Sequence, residues 1–152
     1  MADVPCSGDG TMRKNPDLWL RWTPNLAIGE HFLQARILRR GLELLKDPDS
    51  ENALPEESPG YSRLIYSTCS LNPIEDEAVV ASVLVQCQGA VQLVEHPLFT
   101  TDETDGQASD TRSSSGVNEK RFKARKGLTT WRVMTKDGTW YESFDAVPTK
   151  YE

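Results

Sequence analysis

The stretch "RLIYSTCSLNPIEDEAVV", residues 63–80, decides how this chain is read. Leu64 to Thr68 is a short apolar run followed by small polar residues, which predicts a buried strand. Asn72 and Pro73 form a helix start signal, a capping side chain followed by a proline at the first helical position. Glu75 stands three residues after Asn72, which predicts a capping box. Glu75, Asp76 and Glu77 complement the positive end of the helix dipole. Val79, Val80, Val83 and Leu84 give that helix an inward face, and Gly89 is its expected stop. Cys69 therefore falls between the end of a strand and the N-terminus of a helix. The unpaired N–H groups there can stabilise a thiolate, while the three acids oppose it. The same placement also suits a buried structural cysteine.

A second cysteine opens the chain, in "MADVPCSGDGT", residues 1–11. Residues 1–15 read as a loop in which Gly8 and Gly10 permit unusual backbone angles. Cys6 could sit in a phosphate-cradling nest. A tyrosine-phosphatase loop would need Cys-x5-Arg, whereas six residues separate Cys6 from Arg13. Between the cysteine segments a helix is predicted to begin near Thr23-Pro24. Leu26, Leu33, Ile37, Leu38, Leu42 and Leu45 lie near a 3.6-residue period and predict its apolar face, with Gln34, Arg36, Arg39 and Arg40 mostly opposite. Residues 47–62, broken by Pro48, Pro55, Pro59 and Gly60, read as a polar loop.

Beyond the second helix, "AVQLVEHP" (90–97) predicts a brief strand. Residues 100–127 are poor in large apolar side chains and read as mobile or disordered. Their end, "EKRFKARK", packs five basic residues around Phe122. "LTTWRVMTKDGTWYESF" (128–144) predicts a hairpin turning at Asp137-Gly138. Strand, helix and strand in succession, with reactive residues at a strand's C-terminal end, imply an α/β sheet.

Composition narrows the function classes. The 152 residues suit one domain, and a net charge of −6 disfavours nucleic-acid binding over the whole surface. The longest apolar run, Ala78 to Val85, is interrupted by Ser82 and is far shorter than a bilayer span, so no membrane partner is expected. Asp3 and Pro5 fall where a secretory signal would be apolar, which points to an intracellular protein with reduced cysteines. Cys6, Cys69 and Cys87 have no Cys-x-x-Cys spacing, and His31 and His96 have no partner at metal or triad spacing, so no metal is expected. Cys87 reads as packing. Arg39 and Arg40 read as a solvated face.

"DVPCSGDGTMRK" and "YSTCSLNPIEDEAV" resemble the fourth and sixth motifs of the RNA (cytosine-5) methyltransferases of the Nop/Sun type. The likeness is to the eukaryotic tRNA-modifying branch, which carries a stretch similar to "WRVMTKDGTWYESFDAVP". It covers most of residues 2–46, 61–95 and 127–148. The resemblance implies an S-adenosylmethionine-dependent enzyme acting on RNA, with tRNA the expected partner. It implies that Cys69 is the nucleophile at carbon 6 of cytosine. Cys6 then helps remove the carbon-5 proton and release the adduct, and Asp3 lies near cofactor and base as a cofactor-binding carboxylate.

The sequence departs from the family pattern in three places. No glycine loop of the cofactor half precedes Asp3, the family's closing strands do not follow, and residues 47–62 look like an insert. The expected fold is a partial Rossmann-like methyltransferase domain, the catalytic-loop half with the cofactor half missing. Residues 1–98 form its catalytic part, 99–127 a mobile loop and 128–152 a hairpin extension. Such a fragment is expected to transfer little or no methyl by itself. The alternatives are a non-catalytic RNA-binding remnant and, less favoured by the spacing, a cysteine hydrolase or phosphatase. The basic run at 120–126 is compatible with nuclear import, and a nuclear location is the expectation.

Overall fold

The computed structural model describes residues 1–45, 62–94, 99–100 and 122–149. The expected polar insert falls almost wholly outside them, as does most of the stretch read as mobile. Strand β1 (Ala2–Asp3) is followed by a 3-10 turn at Asp9–Thr11, a one-turn helix α1 (Leu18–Arg21) and the long helix α2 (Pro24–Glu43). Then come β2 (Tyr66–Ser67) and α3 (Glu77–Gln86). The strands β3 (Phe99–Thr100) and β4 (Phe122–Lys123) pair in parallel. Strands β5 (Val133–Met134) and β6 (Trp140–Tyr141) form an antiparallel hairpin.

The chain starts in a strand rather than in the expected loop. Strand β1 lies parallel to β2, with Ala2 opposite Tyr66 and Asp3 opposite Ser67. Flanking bonds from Ala2 N–H to the Ile65 carbonyl (2.7 Å) and Val4 N–H to the Ser67 carbonyl (3.0 Å) extend the pairing. A parallel pair needs a crossover, and α2 supplies it. This β1–α2–β2 unit carries both cysteine segments out of the same end of the sheet.

Two clusters hold the unit together. Leu38, Val79 and Val83 pack α2 against α3, with Leu64, Tyr66, Val80 and Cys87 at their edges. Ile28, Ile74, Val133 and Val147, flanked by Trp131 and Tyr141, dock the hairpin onto the start of α2 and the turn before α3. The hairpin bends at Asp137-Gly138 as expected. Gly138 adopts φ 83°, which favours glycine, and Asp137 accepts from Thr135 Oγ1 (2.6 Å) and Thr139 N–H (3.1 Å).

Several local expectations fail for identifiable reasons. Helix α2 begins at Pro24, but its buried stripe is Ala27, Ile28, His31, Gln34 and Leu38, while Leu26 and Leu33 stay exposed. Gln34, expected on the solvated side, is completely buried, because its neighbours offer acceptors that an apolar side chain could not satisfy. The capping box at Asn72 does not form. Asn72 Oδ1 accepts from Ile74 N–H (3.0 Å), a tight turn intervenes, and α3 starts only at Glu77. The predicted strand at 64–68 shortens to Tyr66–Ser67, since its partner β1 has only two residues. No strand forms over the described part of 90–97, where Leu93 and Val94 are exposed and no neighbouring strand offers a ladder.

Candidate active site

The Cys6 segment leaves β1 through the buried Val4 and turns at Gly8, whose φ is 77°. Gln34 Nε2 donates to the Pro5 carbonyl at 2.8 Å. Thr11 closes the turn with its N–H (2.8 Å) and its hydroxyl (2.7 Å), both on the Gly8 carbonyl. The Cys69 segment folds mainly on itself. Ser70 N–H donates to Thr68 Oγ1, Asn72 N–H to Ser70 Oγ and Ile74 N–H to Asn72 Oδ1, each at 3.0 Å. These are the short side-chain-to-backbone bonds that let Ser, Thr and Asn replace a backbone turn.

The two segments meet along their backbones. Gly10 N–H donates to the Cys69 carbonyl at 3.1 Å, and Leu71 N–H donates to Asp9 Oδ1 at 3.0 Å. A Cβ at Gly10 would collide with the Cys69 carbonyl oxygen, so glycine is the residue that permits this approach.

Beneath them lies Glu75, with no exposed surface. Its Oε1 accepts from Ser7 N–H (2.8 Å) and Gln34 Nε2 (3.0 Å). Its Oε2 accepts from the hydroxyls of Ser7 (2.5 Å) and Ser70 (2.8 Å). Trp22 Nε1 donates to Ser7 Oγ at 2.9 Å, and the Tyr66 hydroxyl donates to the Glu75 carbonyl at 2.6 Å. His31 Nδ1 donates to the Ile74 carbonyl at 2.7 Å. Four donors on its two oxygens satisfy the buried carboxyl group. Gln34 Oε1 is the one buried side-chain oxygen among the described residues with no partner.

This framework brings the sulfurs of Cys6 and Cys69 to 3.0 Å. Cys69 is exposed and Cys6 half-buried. The environment does not favour a Cys69 thiolate. The hydrogen bond to Cys6 pushes its thiol up to about 11, with burial, the Cys6 charge and Asp9 adding to the rise. The helix-dipole expectation fails because α3 begins well beyond Cys69. Burial, then Glu77, Glu75 and Asp9, push the neighbouring Asp76 up to about 7. Burial, Asp76, Glu75 and Cys6 hold the Tyr66 phenol protonated.

Asp3, the third sequence-derived site residue, is exposed on β1 and accepts from Ser67 Oγ at 2.8 Å. Both belong to the strand pair that leads into the cysteine segments. Cys87 stays apart, packed between α2 and α3. His31 is buried, and burial lowers its basicity. Sequence reasoning missed Ser7, Gln34, Ser70 and the buried role of Glu75. A polar Gln34 at helical spacing from Ala27, His31 and Leu38 was the available signal. Among the described residues there is no group of three metal-ligating side chains, and no helix is long and apolar enough to cross a membrane.

Residues 1–122 match the family model described as 16S rRNA methyltransferase RsmB/F. A fruit-fly (Drosophila melanogaster) tRNA (cytosine(34)-C(5))-methyltransferase is 39% identical over 149 residues, covering 97% of this chain and 16% of that protein. The multisite-specific tRNA:(cytosine-C(5))-methyltransferase trm4b of Schizosaccharomyces pombe is 53% identical over 95 residues, covering 62% of this chain and 12% of that protein. Its counterpart in Saccharomyces cerevisiae is 49% identical over 94 residues, with 62% and 12% covered. The chain thus spans about one-eighth to one-sixth of these relatives. No solved structure matches.

Proposed function

This chain belongs to the 16S rRNA methyltransferase RsmB/F family, and on that basis we propose that its paired cysteines methylate carbon 5 of cytosine in RNA. The observation that carries the reading is the 3.0 Å separation of two sulfurs from segments 63 residues apart. One ring can meet both at once. The names of the fly and yeast relatives favour tRNA as the substrate. The parallel β1–α2–β2 unit is consistent with a Rossmann-like methyltransferase sheet.

Carbon 5 of cytosine is a poor nucleophile. In the proposed reaction Cys69 Sγ, once deprotonated, bonds to carbon 6. The carbon 5–carbon 6 π pair moves onto carbon 5, which can then form a bond to a methyl carbon. S-adenosylmethionine, when bound, supplies that methyl group. Cys6, once it has lost its own proton to solvent, takes the proton from carbon 5; the pair of that carbon–hydrogen bond re-forms the double bond, and the carbon 6–sulfur pair leaves on Cys69 as its thiolate. Cys69, exposed, suits the attacking role, and Cys6, half-buried beside it, suits the proton-handling one. The target base must leave its stack to reach them. Asp3 fits a cofactor contact, because Ser67 occupies one carboxylate oxygen and the other takes no hydrogen bond among the described residues. It can accept from a hydroxyl or an ammonium.

The proposal extends to the chain by itself, which is expected to transfer little methyl. Strands of two residues and the exposed Leu26, Leu33 and Leu44 on or beside α2 support that. A nuclear location is proposed on the basic run at 120–126.

Trapping with RNA containing 5-azacytosine tests the reading, because a carbon-6 nucleophile makes a stable adduct with it. The wild-type chain is expected to yield a covalent RNA–protein species whose cross-linked peptide contains Cys69. Cys69→Ala is expected to yield none. A wild-type chain that forms no adduct, or one cross-linked through another residue, would overturn the assignment and favour an RNA-binding remnant.

A further inference from the structure

Glu75 is a fully buried side chain that bonds the residue directly after each cysteine. We propose that Glu75 is a positioning residue, which sets the spacing of the Cys6 and Cys69 sulfurs by holding Ser7 and Ser70 on one buried carboxylate. This deepens the reading above and rests on it for its functional meaning.

The geometry carries the argument. Ser7 directly follows Cys6, and Ser70 directly follows Cys69. Both hydroxyls end on the same oxygen, Oε2, at 2.5 and 2.8 Å. The Ser7 N–H ends on Oε1 at 2.8 Å, so the Cys6 segment is held at two points. The carboxylate cannot drift, because Gln34 anchors Oε1 from α2 at 3.0 Å and the Tyr66 hydroxyl fixes the Glu75 carbonyl. Hydrogen bonds to a group with no exposed surface are costly to leave unmade, because water cannot replace them. A helix cap at this position would need an exposed carboxylate turned back to the Asn72 N–H. That N–H instead goes to Ser70 Oγ. Without Glu75, the two segments would be joined beyond the β1–β2 pair through the bonds from Gly10 N–H to the Cys69 carbonyl and from Leu71 N–H to Asp9.

The spacing can be read without RNA or cofactor. A trivalent arylarsenoxide captures two neighbouring thiols, forming two arsenic–sulfur bonds and releasing one water. It binds single thiols far more weakly. With the full chain, phenylarsine oxide is expected to add once, and Cys69→Ala to abolish the addition. Ser70→Ala cuts the Cys69-side arm and is expected to weaken capture about tenfold. Ser7→Ala removes one of two bonds on the Cys6 side and leaves the Ser7 N–H bond to Oε1, so it is expected to weaken capture only severalfold. The double variant is expected to cost less than the two losses combined. Glu75→Gln keeps an acceptor for the Ser7 N–H and is expected to retain more capture than Glu75→Ala.

Because Glu75→Ala risks unfolding the chain, the serine variants carry the test, with Val83→Ala as the comparison. Val83 is buried between α2 and α3 and bonds neither serine, so that variant lowers the melting midpoint while leaving both hydroxyl arms in place. If the serine variants weaken capture no more than Val83→Ala at equal melting midpoint, Glu75 is merely structural and the proposal falls. If capture follows the expected pattern but no azacytosine adduct forms, the positioning role stands and the methyltransferase reading falls. If an adduct forms at Cys69 while capture is unaltered in both serine variants, the methyltransferase reading stands and the positioning role falls.

Discussion

The Cys69 segment and the Cys6 segment deliver their sulfurs to one point by opposite means. Thr68, Ser70 and Asn72 fold the first through bonds that each span two residues. The second turns locally only after the cysteine, where Thr11 closes on Gly8, while the residues flanking Cys6 are held by distant groups: Gln34 of α2, Trp22 beyond α1, and Glu75 of the other segment. One loop can approach its shape from its own side chains. The other acquires its shape when α2 and the turn before α3 are already in place. The site is therefore as well ordered as its less autonomous half, and substitutions far along the chain should reach Cys6 before they reach Cys69.

The sharpest way to break this comparison is Gly10→Ala. The added methyl meets the Cys69 carbonyl, a backbone atom that cannot swing aside. A loss of about 1–3 kcal/mol in urea unfolding is expected from such overpacking, together with loss of arsenical capture. Unchanged capture would mean that the two backbones do not touch in solution. Gln34→Leu follows. It removes the donors to the Pro5 carbonyl and to Glu75 while keeping most of the volume. About 1–3 kcal/mol should be lost, partly offset by removal of the orphaned Oε1. Alkylation should then accelerate at Cys6 more than at Cys69. Equal acceleration would erase the distinction between a local and a tertiary loop.

Asn72→Ala tests the other side. It removes one local turn bond, with an expected cost of about 1 kcal/mol, and changes Cys69 alkylation while leaving Cys6 nearly untouched. The smallest effect is expected at Asp76, where the Cys69 segment runs into α3. Its folded carboxyl titrates near 7, above the ordinary 3.8, so the fold favours the protonated form. That contribution is fully present below the ordinary value and is lost as pH rises through about 7. Asp76→Asn should therefore raise the thermal midpoint at pH 8 relative to wild type and alter it less at pH 5. A rise of equal size at both pH values would rule out burial of a reluctant charge.

Much of the frame was legible in the residues. Pro24 marks the start of α2, Asp137-Gly138 the hairpin turn, and Gly89 the region after α3, because prolines and glycines restrict or free the backbone locally. The two cysteine motifs were equally legible. Glu75 was misread, since its spacing from Asn72 satisfies a capping rule that depends only on sequence neighbours. Its partner Ser7 lies 68 residues away. Gln34 was misplaced for a similar reason. A polar residue is assigned to water unless one knows that buried carbonyl and carboxylate groups await it.

What the sequence determined by itself was a set of short-range facts: where α2 begins, where the hairpin turns and which two cysteines carry motifs. Those follow from steric and hydrogen-bonding preferences that act within a few residues. Only the tertiary structure decided that the sulfurs stand 3.0 Å apart, that Glu75 lies under both, and that Cys69 is harder to ionise than an isolated thiol. Each of these depends on groups distant in the chain sharing a small, poorly hydrated volume, where a donor, a charge and its partner set one another's energies.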